Sequence, residues 1–225
     1  MEETLEEKLE VDIRREFQLE RMILFSDAVF AIVITLMAID IKVPEAEKKY
    51  TSDELLHHVK LLIPTILAYA VSFVVIGITW YRHLQIFGRL KDYDKGLVIC
   101  NLVLLFSIGL FPFGASMVSH PNNILLPYII YFIVTILTMG SQNFLHYYIF
   151  YIRPTLLHSP PTGNELIKVK KGMLLVAAFC ISMVVVTILY YRIENPEAKP
   201  FAMMALFLVP ICKKILDRKM KVKEY

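Results

Sequence analysis

Disulfide frameworks and cysteine-rich metal sites need more cysteine than this chain has. It has three, Cys100, Cys180 and Cys212, and all lie in apolar segments at unrelated spacings. Such cysteines behave as small buried apolar side chains, so the sequence indicates neither a disulfide framework nor a metal site. The net charge is also low, at +3, and the basic residues are not clustered as nucleic-acid binding would require.

Motifs of common enzyme classes are absent as well. The sequence has no glycine-rich phosphate loop, no His-Glu-x-x-His, no Gly-x-Ser-x-Gly and no Cys-x-x-Cys. Without a paired nucleophile and base, an intramembrane enzyme is disfavoured, and we predict no enzymatic activity and no cofactor. A Thr-Val-Gly-Tyr-Gly filter is missing too, so any potassium selectivity cannot come from stacked carbonyls of that type. The Phe-Ser-Asp segment occurs once, which argues against an inverted-repeat transporter.

Apolar sequence, in contrast, is abundant. The 225 residues are 56% hydrophobic, with a mean hydropathy of +0.55, which is typical of polytopic membrane proteins. We predict one all-α domain with six transmembrane helices, the third kinked at Pro112. The predicted spans are Arg21–Val43, Lys60–Phe87, Gly96–Val118, Ile124–Phe150, Met173–Tyr191 and Pro200–Ile215.

The ends of the chain are read as cytoplasmic. Residues 1–20 carry Leu5, Leu9, Ile13 and Phe17 among eight acids and three bases, a pattern that predicts an amphipathic helix, either interfacial or continuous with the first span, and no signal peptide. It is either an assembly or gating element or, more simply, a solvated lead-in. Residues 21–216 form the predicted membrane domain, and 217–225 a basic tail. With both termini inside, 18 lysines and arginines fall on the inner side and six on the outer, as the positive-inside rule expects.

The first span carries a stripe along one face. At about 100° per residue, Ile32, Thr35, Leu36 and Ile39 share one side, whereas Ser26 and Asp27 point elsewhere, toward protein. The stripe is typical of a pore-lining helix, although apolar side chains of a membrane helix also commonly face lipid or neighbouring helices. Thr35 can equally bond the carbonyl of Ala31 in its own helix.

Polar residues of three spans are predicted to lie at one depth in the membrane. Alternating spans place Ser26 and Asp27 level with Trp80, His83 and Asn101. These side chains would satisfy one another in a hydrogen-bonded cluster. We favour a structural cluster over a proton relay, because no further acids continue a path across the membrane. A sixth polar residue, Asp40, is expected near the outer mouth, where it either attracts cations or faces water.

Three segments together resemble the transmembrane-protein-175 potassium channel family of prokaryotes and lysosomes. The first two are Arg21-x-x-x-Phe25-Ser26-Asp27-x-x-x-x-Ile32-x-x-Thr35-Leu36 and Tyr69-x-x-Ser72-Phe73-x-x-Ile76-x-x-x-Trp80-x-x-His83. The third is Asn101 with Leu110-Phe111-Pro112-Phe113. Six spans with one copy of the motif resemble the prokaryotic form, whereas the animal form is similar to two such units fused. Met37, where many members have leucine, leaves the stripe intact.

The resemblance implies a homotetrameric potassium channel in the cytoplasmic membrane of a prokaryote. Four first helices would line a central pore, with Ile32, Leu36 and Ile39 as the hydrophobic gate and Thr35 contributing to potassium preference. Potassium would be the permeating ion, and no resident metal is implied. The residues expected to hold the pore helix are Arg21, Phe25, Ser26, Asp27, Trp80, His83 and Asn101. The alternative is a proton-coupled transporter or a proton pathway through Asp27 and His83.

Overall fold

The structure, a computed structural model, describes residues 5–39, 41, 51–119 and 125–193. The described chain is all-α. Its helices are α1 (Leu5–Ile39), α2 (Ser52–Phe87), α3 (Lys95–Gly109), α4 (Phe111–Ser119), α5 (Leu126–Tyr147) and α6 (Gly163–Arg192). A π-helical turn at Tyr148–Ile152 extends α5, and a short 3₁₀ turn at Pro154–Leu156 follows it.

Five stretches of the described chain are long and apolar enough to cross a membrane, with α3 and α4 counted as one. They correspond to the first five predicted spans. The predicted sixth span, Pro200–Ile215, and the tail at 217–225 lie outside the described residues. Residues 5–20 and the first span form one uninterrupted helix, α1, which is the continuous one of the two arrangements predicted for the N-terminal helix.

Two helices begin earlier than predicted. The α2 helix starts at Ser52, eight residues before the predicted start of the second span at Lys60. The α6 helix starts at Gly163, ten residues before the predicted start of the fifth span at Met173, because Thr162 and Glu165 form a capping box. The Thr162 hydroxyl accepts from the Glu165 backbone N–H, while the Glu165 carboxylate accepts from the Thr162 backbone N–H at 2.8 Å. These two bonds satisfy donors that the first turn of a helix leaves free.

The kink predicted in the third span is a complete break. The α3 helix ends at Gly109 and α4 begins at Phe111, one residue before Pro112. Proline has no N–H to donate, and its ring clashes with the carbonyl four residues earlier, here that of Ile108.

The core lies where α5 packs on its neighbours. This helix contacts α2, α3, α4 and α6, and α1 packs against α2, α3 and α4. The largest fully buried apolar side chains include Phe30 of α1, Ile76 of α2 and Leu104 of α3. At the end of α2, an antiparallel bridge between Leu90 and Leu157 joins the α2–α3 turn to the segment that follows α5. Large apolar side chains remain exposed on every membrane-spanning helix, as lipid or further subunits would require.

Candidate ion pathway and its anchor

The α1 helix has two different faces. Its buried side chains, Leu19, Ser26, Phe30, Val33 and Met37, fall within about 60° of one another on the helical wheel. The predicted pore stripe lies on the far side, where Ile32 is 59% exposed, Leu36 49% and Ile39 68%. Thr35 is exposed on the same side. The stripe is therefore the face of α1 that the described part of its own chain leaves uncovered.

Thr35 keeps its hydroxyl hydrogen within the helix. Its Oγ1 donates to the carbonyl oxygens of Ala31 and Ile32, at 3.0 and 2.9 Å. This is the local bond considered from the sequence as an alternative to a role in selectivity. A hydroxyl that donates to its own helix still has lone pairs with which to accept, so the oxygen remains able to contact a cation.

The buried face carries a chain of hydrogen bonds through three helices. His83 of α2 bonds through Nε2 to Oδ1 of Asn101 in α3, at 2.9 Å. The Asn101 Nδ2 donates to Ser26 Oγ at 2.9 Å, and Ser26 Oγ donates to the Met22 carbonyl at 2.8 Å. All three side chains that form this chain are almost completely buried. The amide of Asn101 thereby joins α2 to α1.

The donors in this chain all point the same way. Since the Asn101 Oδ1 can only accept, His83 carries its proton on Nε2. Each hydrogen is then donated toward α1, and the last one reaches the backbone carbonyl of Met22, which has no proton to pass on. This direction favours the structural interpretation over a relay.

Asp27 has a partner of its own. The indole Nε1 of Trp80 donates to Asp27 Oδ1 at 2.8 Å, which makes a second link between α1 and α2. A charged acceptor makes such a bond stronger than one between neutral groups. Trp80 is 38% exposed, so this link lies nearer the surface than the Asn101 bridge. The five residues that the sequence predicted at one depth are thus brought together, in two adjoining sets.

Two predicted members of the network lie apart from it. Arg21 and Phe25 are exposed side chains of α1, and they line a shallow groove with Tyr93 and Val98. Their predicted role in holding the helix stays a prediction. Asp40, predicted at the outer mouth, lies outside the described residues.

The sequence interpretation missed the aromatic side chains around His83. Phe87, one turn further along α2, stacks on the imidazole with ring centroids 3.9 Å apart, and Phe30 of α1 approaches it at 5.6 Å. The spacing of four residues between His83 and Phe87 is the signal that could have indicated the stacked pair. The contact with Phe30 joins remote segments and has no such signal.

A second polar cluster, also missed, fixes the start of α3. Asp94 caps this helix by accepting from the Leu97 N–H at 2.7 Å, and its other oxygen accepts from the Tyr148 hydroxyl at 2.8 Å. Arg153 lies 3.3 Å from the same oxygen. A side chain at Gly96 would collide with the Tyr148 ring, so glycine is needed there for the bond to form. The spacing of Asp94 from the apolar run of α3 was the available signal for the cap.

Known proteins resemble the part of the chain that contains the α1 stripe and the hydrogen-bonded residues. Residues 21–112 match the family model described as the endosomal/lysosomal potassium channel TMEM175. A potassium channel of Streptomyces collinus is 41% identical over 96 residues, which cover 43% of this chain and 45% of that protein. A potassium channel of Chamaesiphon minutus is 32% identical over 116 residues, covering 50% and 57% of the two chains. The endosomal/lysosomal proton channel TMEM175 of Danio rerio is 32% identical over 108 residues, 47% of this chain and 20% of that one. The chain thus spans about half the length of the curated bacterial relatives that it matches.

A solved structure extends the likeness to most of the fold. The crystal structure of a lysosomal potassium-selective channel TMEM175 homolog from Chamaesiphon minutus superposes with a TM-score of 0.66. The alignment covers 91% of this chain and 99% of that one at 19% identity, and it therefore concerns the fold alone. The matched family and the relatives are named as ion channels, which confirms the prediction that the chain is not an enzyme. It is a multi-pass membrane protein, and its residues 21–112 are similar to the TMEM175 family and to bacterial relatives named as potassium channels.

Proposed function

We propose that the chain is one subunit of a potassium-permeable cation channel in a cell membrane, with α1 lining the pore. The observation that carries the proposal is the division of α1 into two faces. One face is buried and anchored to α2 and α3, while the other presents Ile32, Thr35 and Leu36 beyond the described subunit. The potassium-channel names of the bacterial relatives support the ion.

A single helix cannot enclose a pore, so the uncovered stripe needs symmetric copies of itself. Closed rings of identical subunits are the usual way in which one surface meets its own copies around an axis. We propose a homotetramer, in which four α1 helices surround the axis and the remaining helices face lipid and neighbouring subunits. No cofactor is part of this proposal, and the ion that passes is the only ligand of the pore.

The proposed gate is a hydrophobic constriction. Ile32 and Ile39 are seven residues apart, so rings formed by these two side chains and by Leu36 span about 10 Å along the axis. Water leaves a narrow pore of this length and apolarity, and an ion then loses its hydration without compensation. Such a gate closes without a charged plug and opens when the four helices move apart or rotate.

Thr35 is proposed as the source of potassium preference. Its hydroxyl is the polar group within the apolar stripe, and its hydrogen is already donated inside the helix. The lone pairs of four such oxygens would face the axis and replace part of the hydration shell of the ion. Because hydroxyls on side chains are less rigidly placed than a cage of backbone carbonyls, we expect the preference for potassium to be modest.

The hydrogen-bonded residues on the opposite face are proposed to hold α1 in register. Ser26 and Asp27 tie it to Asn101 and Trp80, so α1 cannot turn relative to its own subunit without breaking these hydrogen bonds. This part is named the α1 anchor and comprises Ser26, Asp27, Trp80, His83 and Asn101. Both termini are proposed to be cytoplasmic, from the distribution of lysine and arginine.

Proton conduction is a second candidate function. The vertebrate relatives are named as proton channels, and the Nδ1 atom of His83 is buried with no hydrogen-bond partner among the described residues. Saturable, pH-dependent uptake in place of an ohmic potassium current, abolished by His83→Phe, would favour it. A potassium current that persists in that variant would favour the first proposal.

The test is a potassium flux assay on reconstituted full-length protein, with its oligomer mass measured in the same preparation. Ile32→Asn is expected to raise basal flux several-fold, because an amide ring keeps the constriction wet. The matched control is Ile181→Asn in α6, an isoleucine 63% exposed where Ile32 is 59% exposed. If the protein is tetrameric and both variants show the basal flux of the parent, the gate does not lie on α1. A protein that carries no ions would contradict the channel proposal.

A further inference from the structure

A cavity of about 460 Å³ opens beside α6, away from the proposed pore. Both α2 and α6 pack against α5, and the cavity lies in the cleft between them with His146 and Phe150 as its floor. Its volume falls within the range of small-molecule sites, about 300–1,000 Å³.

The lining changes from charged to apolar along the helices. One wall runs along α2 from Ile78 to Ile86 and ends at Arg89 in the turn after α2, and the α6 wall runs from Leu175 back to Glu165 over about 15 Å of helix. Since the two helices cross the membrane in opposite directions, Arg89 and Glu165 meet at one end, where they form an ion pair. Ile78 and Leu175 line the other end, deeper in the membrane.

The charge of the cavity is strongly positive. Among the described residues that line it, four are basic, and Glu165 is the one carboxylate, for a net charge of +3 with histidine neutral. The Glu165 carboxylate is already engaged by Arg89 and by the cap of α6. Arg82, deeper in the cavity, donates to the amide oxygen of Asn143 at 3.2 Å and not to an acid.

Glycine makes room for this arrangement. A side chain at Gly172 would collide with the Asn143 amide. Because glycine has no side chain, α6 can approach α5 closely, and Asn143 is held beside Arg82. The half-buried guanidinium of Arg82 is thereby oriented with donors left over, since a guanidinium has five N–H groups.

We propose that this cavity binds an anionic phospholipid, with the phosphate at the basic end and an acyl chain along Ile78 and Leu175. A phosphate satisfies guanidinium and ammonium donors at once, and basic pockets between membrane helices at the cytoplasmic side are suited to anionic headgroups. A lipid is favoured over a soluble phosphate because the cavity continues from its charged end onto an apolar wall inside the membrane. The site is independent of the pore, and its occupancy can be measured without ion conduction.

The experiment measures lipid binding to the full-length protein in mild detergent by native mass spectrometry. Phosphatidylglycerol and phosphatidylcholine with identical acyl chains are compared for the parent and for Lys168→Gln and Lys170→Gln. Lys168 lines the cavity and Lys170 does not, although both are exposed on α6. The two substitutions remove the same charge, so they alter general attraction to anionic lipid equally.

The expected result is a preference for phosphatidylglycerol that Lys168→Gln weakens about fivefold, the factor that about 1 kcal/mol per basic residue represents. Lys170→Gln should leave it within about twofold. Equal effects of the two variants, or no preference over phosphatidylcholine, would overturn the proposal. In a second arm, millimolar inorganic phosphate is added. Displacement of the lipid by phosphate in a Lys168-dependent way would reassign the cavity to a soluble phosphate and overturn its assignment to a lipid.

Discussion

Asn101→Leu is the most direct test of the α1 anchor. The substitution keeps the approximate size of the side chain but removes the amide that joins His83 to Ser26. His83 and Ser26 are both 0% exposed, so water cannot replace the lost partner of either.

The expected cost follows from what each partner retains. The buried Nε2–H of His83 loses its acceptor, and no donor to its Nδ1 is found among the described residues, so the imidazole is left without a hydrogen bond, which costs about 1–3 kcal/mol. Ser26 loses the hydrogen bond that it accepts from Asn101 but still donates to the Met22 carbonyl. We expect this lost bond to cost about the average for a hydrogen bond between membrane helices, about 0.6 kcal/mol. We therefore expect Asn101→Leu to lower the free energy of unfolding by about 2–4 kcal/mol in total.

The protein contains an intrinsic fluorescence probe of the contact between α1 and α2. Trp80 is the single tryptophan of the sequence, and its indole bonds to Asp27 across the same helix contact. Denaturant titration in detergent, followed by tryptophan fluorescence and by helical circular dichroism, gives the unfolding transition. His83→Phe, which can keep the stacking on Phe87, and the double variant complete a double-mutant cycle.

If Asn101 and His83 act on each other, their effects will not add. Residues in one buried hydrogen-bond network show coupling energies of about 0.5–3 kcal/mol. Thr79→Val is the control, because Thr79 is also buried but donates only to Val75 of its own helix, at 2.8 Å. Additive effects of Asn101→Leu and His83→Phe, or a loss no larger than that of Thr79→Val, would refute the bridge between α1 and α2.

The remaining predictions concern the pore and the packing of α6. Ile32→Asn should raise basal potassium flux, as set out with its control above. Thr35→Ala should lower the potassium-to-sodium permeability ratio, measured from reversal potentials under bi-ionic conditions, whereas Thr35→Ser keeps the hydroxyl and should preserve it. Gly172→Ala should lower the unfolding free energy by about 1–3 kcal/mol, because its methyl group would collide with the buried Asn143 amide. Gly140→Ala, whose methyl group meets nothing within 4 Å, should be neutral or slightly stabilising in the same titration.

These predictions fail in distinguishable ways. An unaltered reversal potential in Thr35→Ala would remove that hydroxyl from the basis of ion preference without affecting the gate. Equal stabilities of Gly172→Ala and Gly140→Ala would show that α6 can move away from α5 at little cost, and that the cavity beside Arg82 is more adaptable than the structure indicates.

Much of the fold could be predicted because hydropathy is a local property. The five described spans correspond to apolar stretches that were long enough to recognise, and Pro112 indicated the break between α3 and α4. The start of α6 was predicted ten residues too late, because the prolines near residue 160 suggested a loop and the capping box at Thr162 was overlooked. The start of α2 was predicted too late for a different reason, because its charged first turns resemble a loop in composition.

The sequence by itself determined that α1 has one polar-anchored face and one apolar stripe, since both follow from the helical repeat. It also placed Ser26, Asp27, Trp80, His83 and Asn101 at one depth, because alternating spans set the depth of every residue. Only the tertiary structure decided which of them bond. The pairing of Asn101 with His83 and Ser26, and of Asp27 with Trp80, depends on distances of about 3 Å between helices that are remote in the chain. The basic cavity beside α6 arises in the same way, from helix packing that a glycine and an asparagine on different helices make possible.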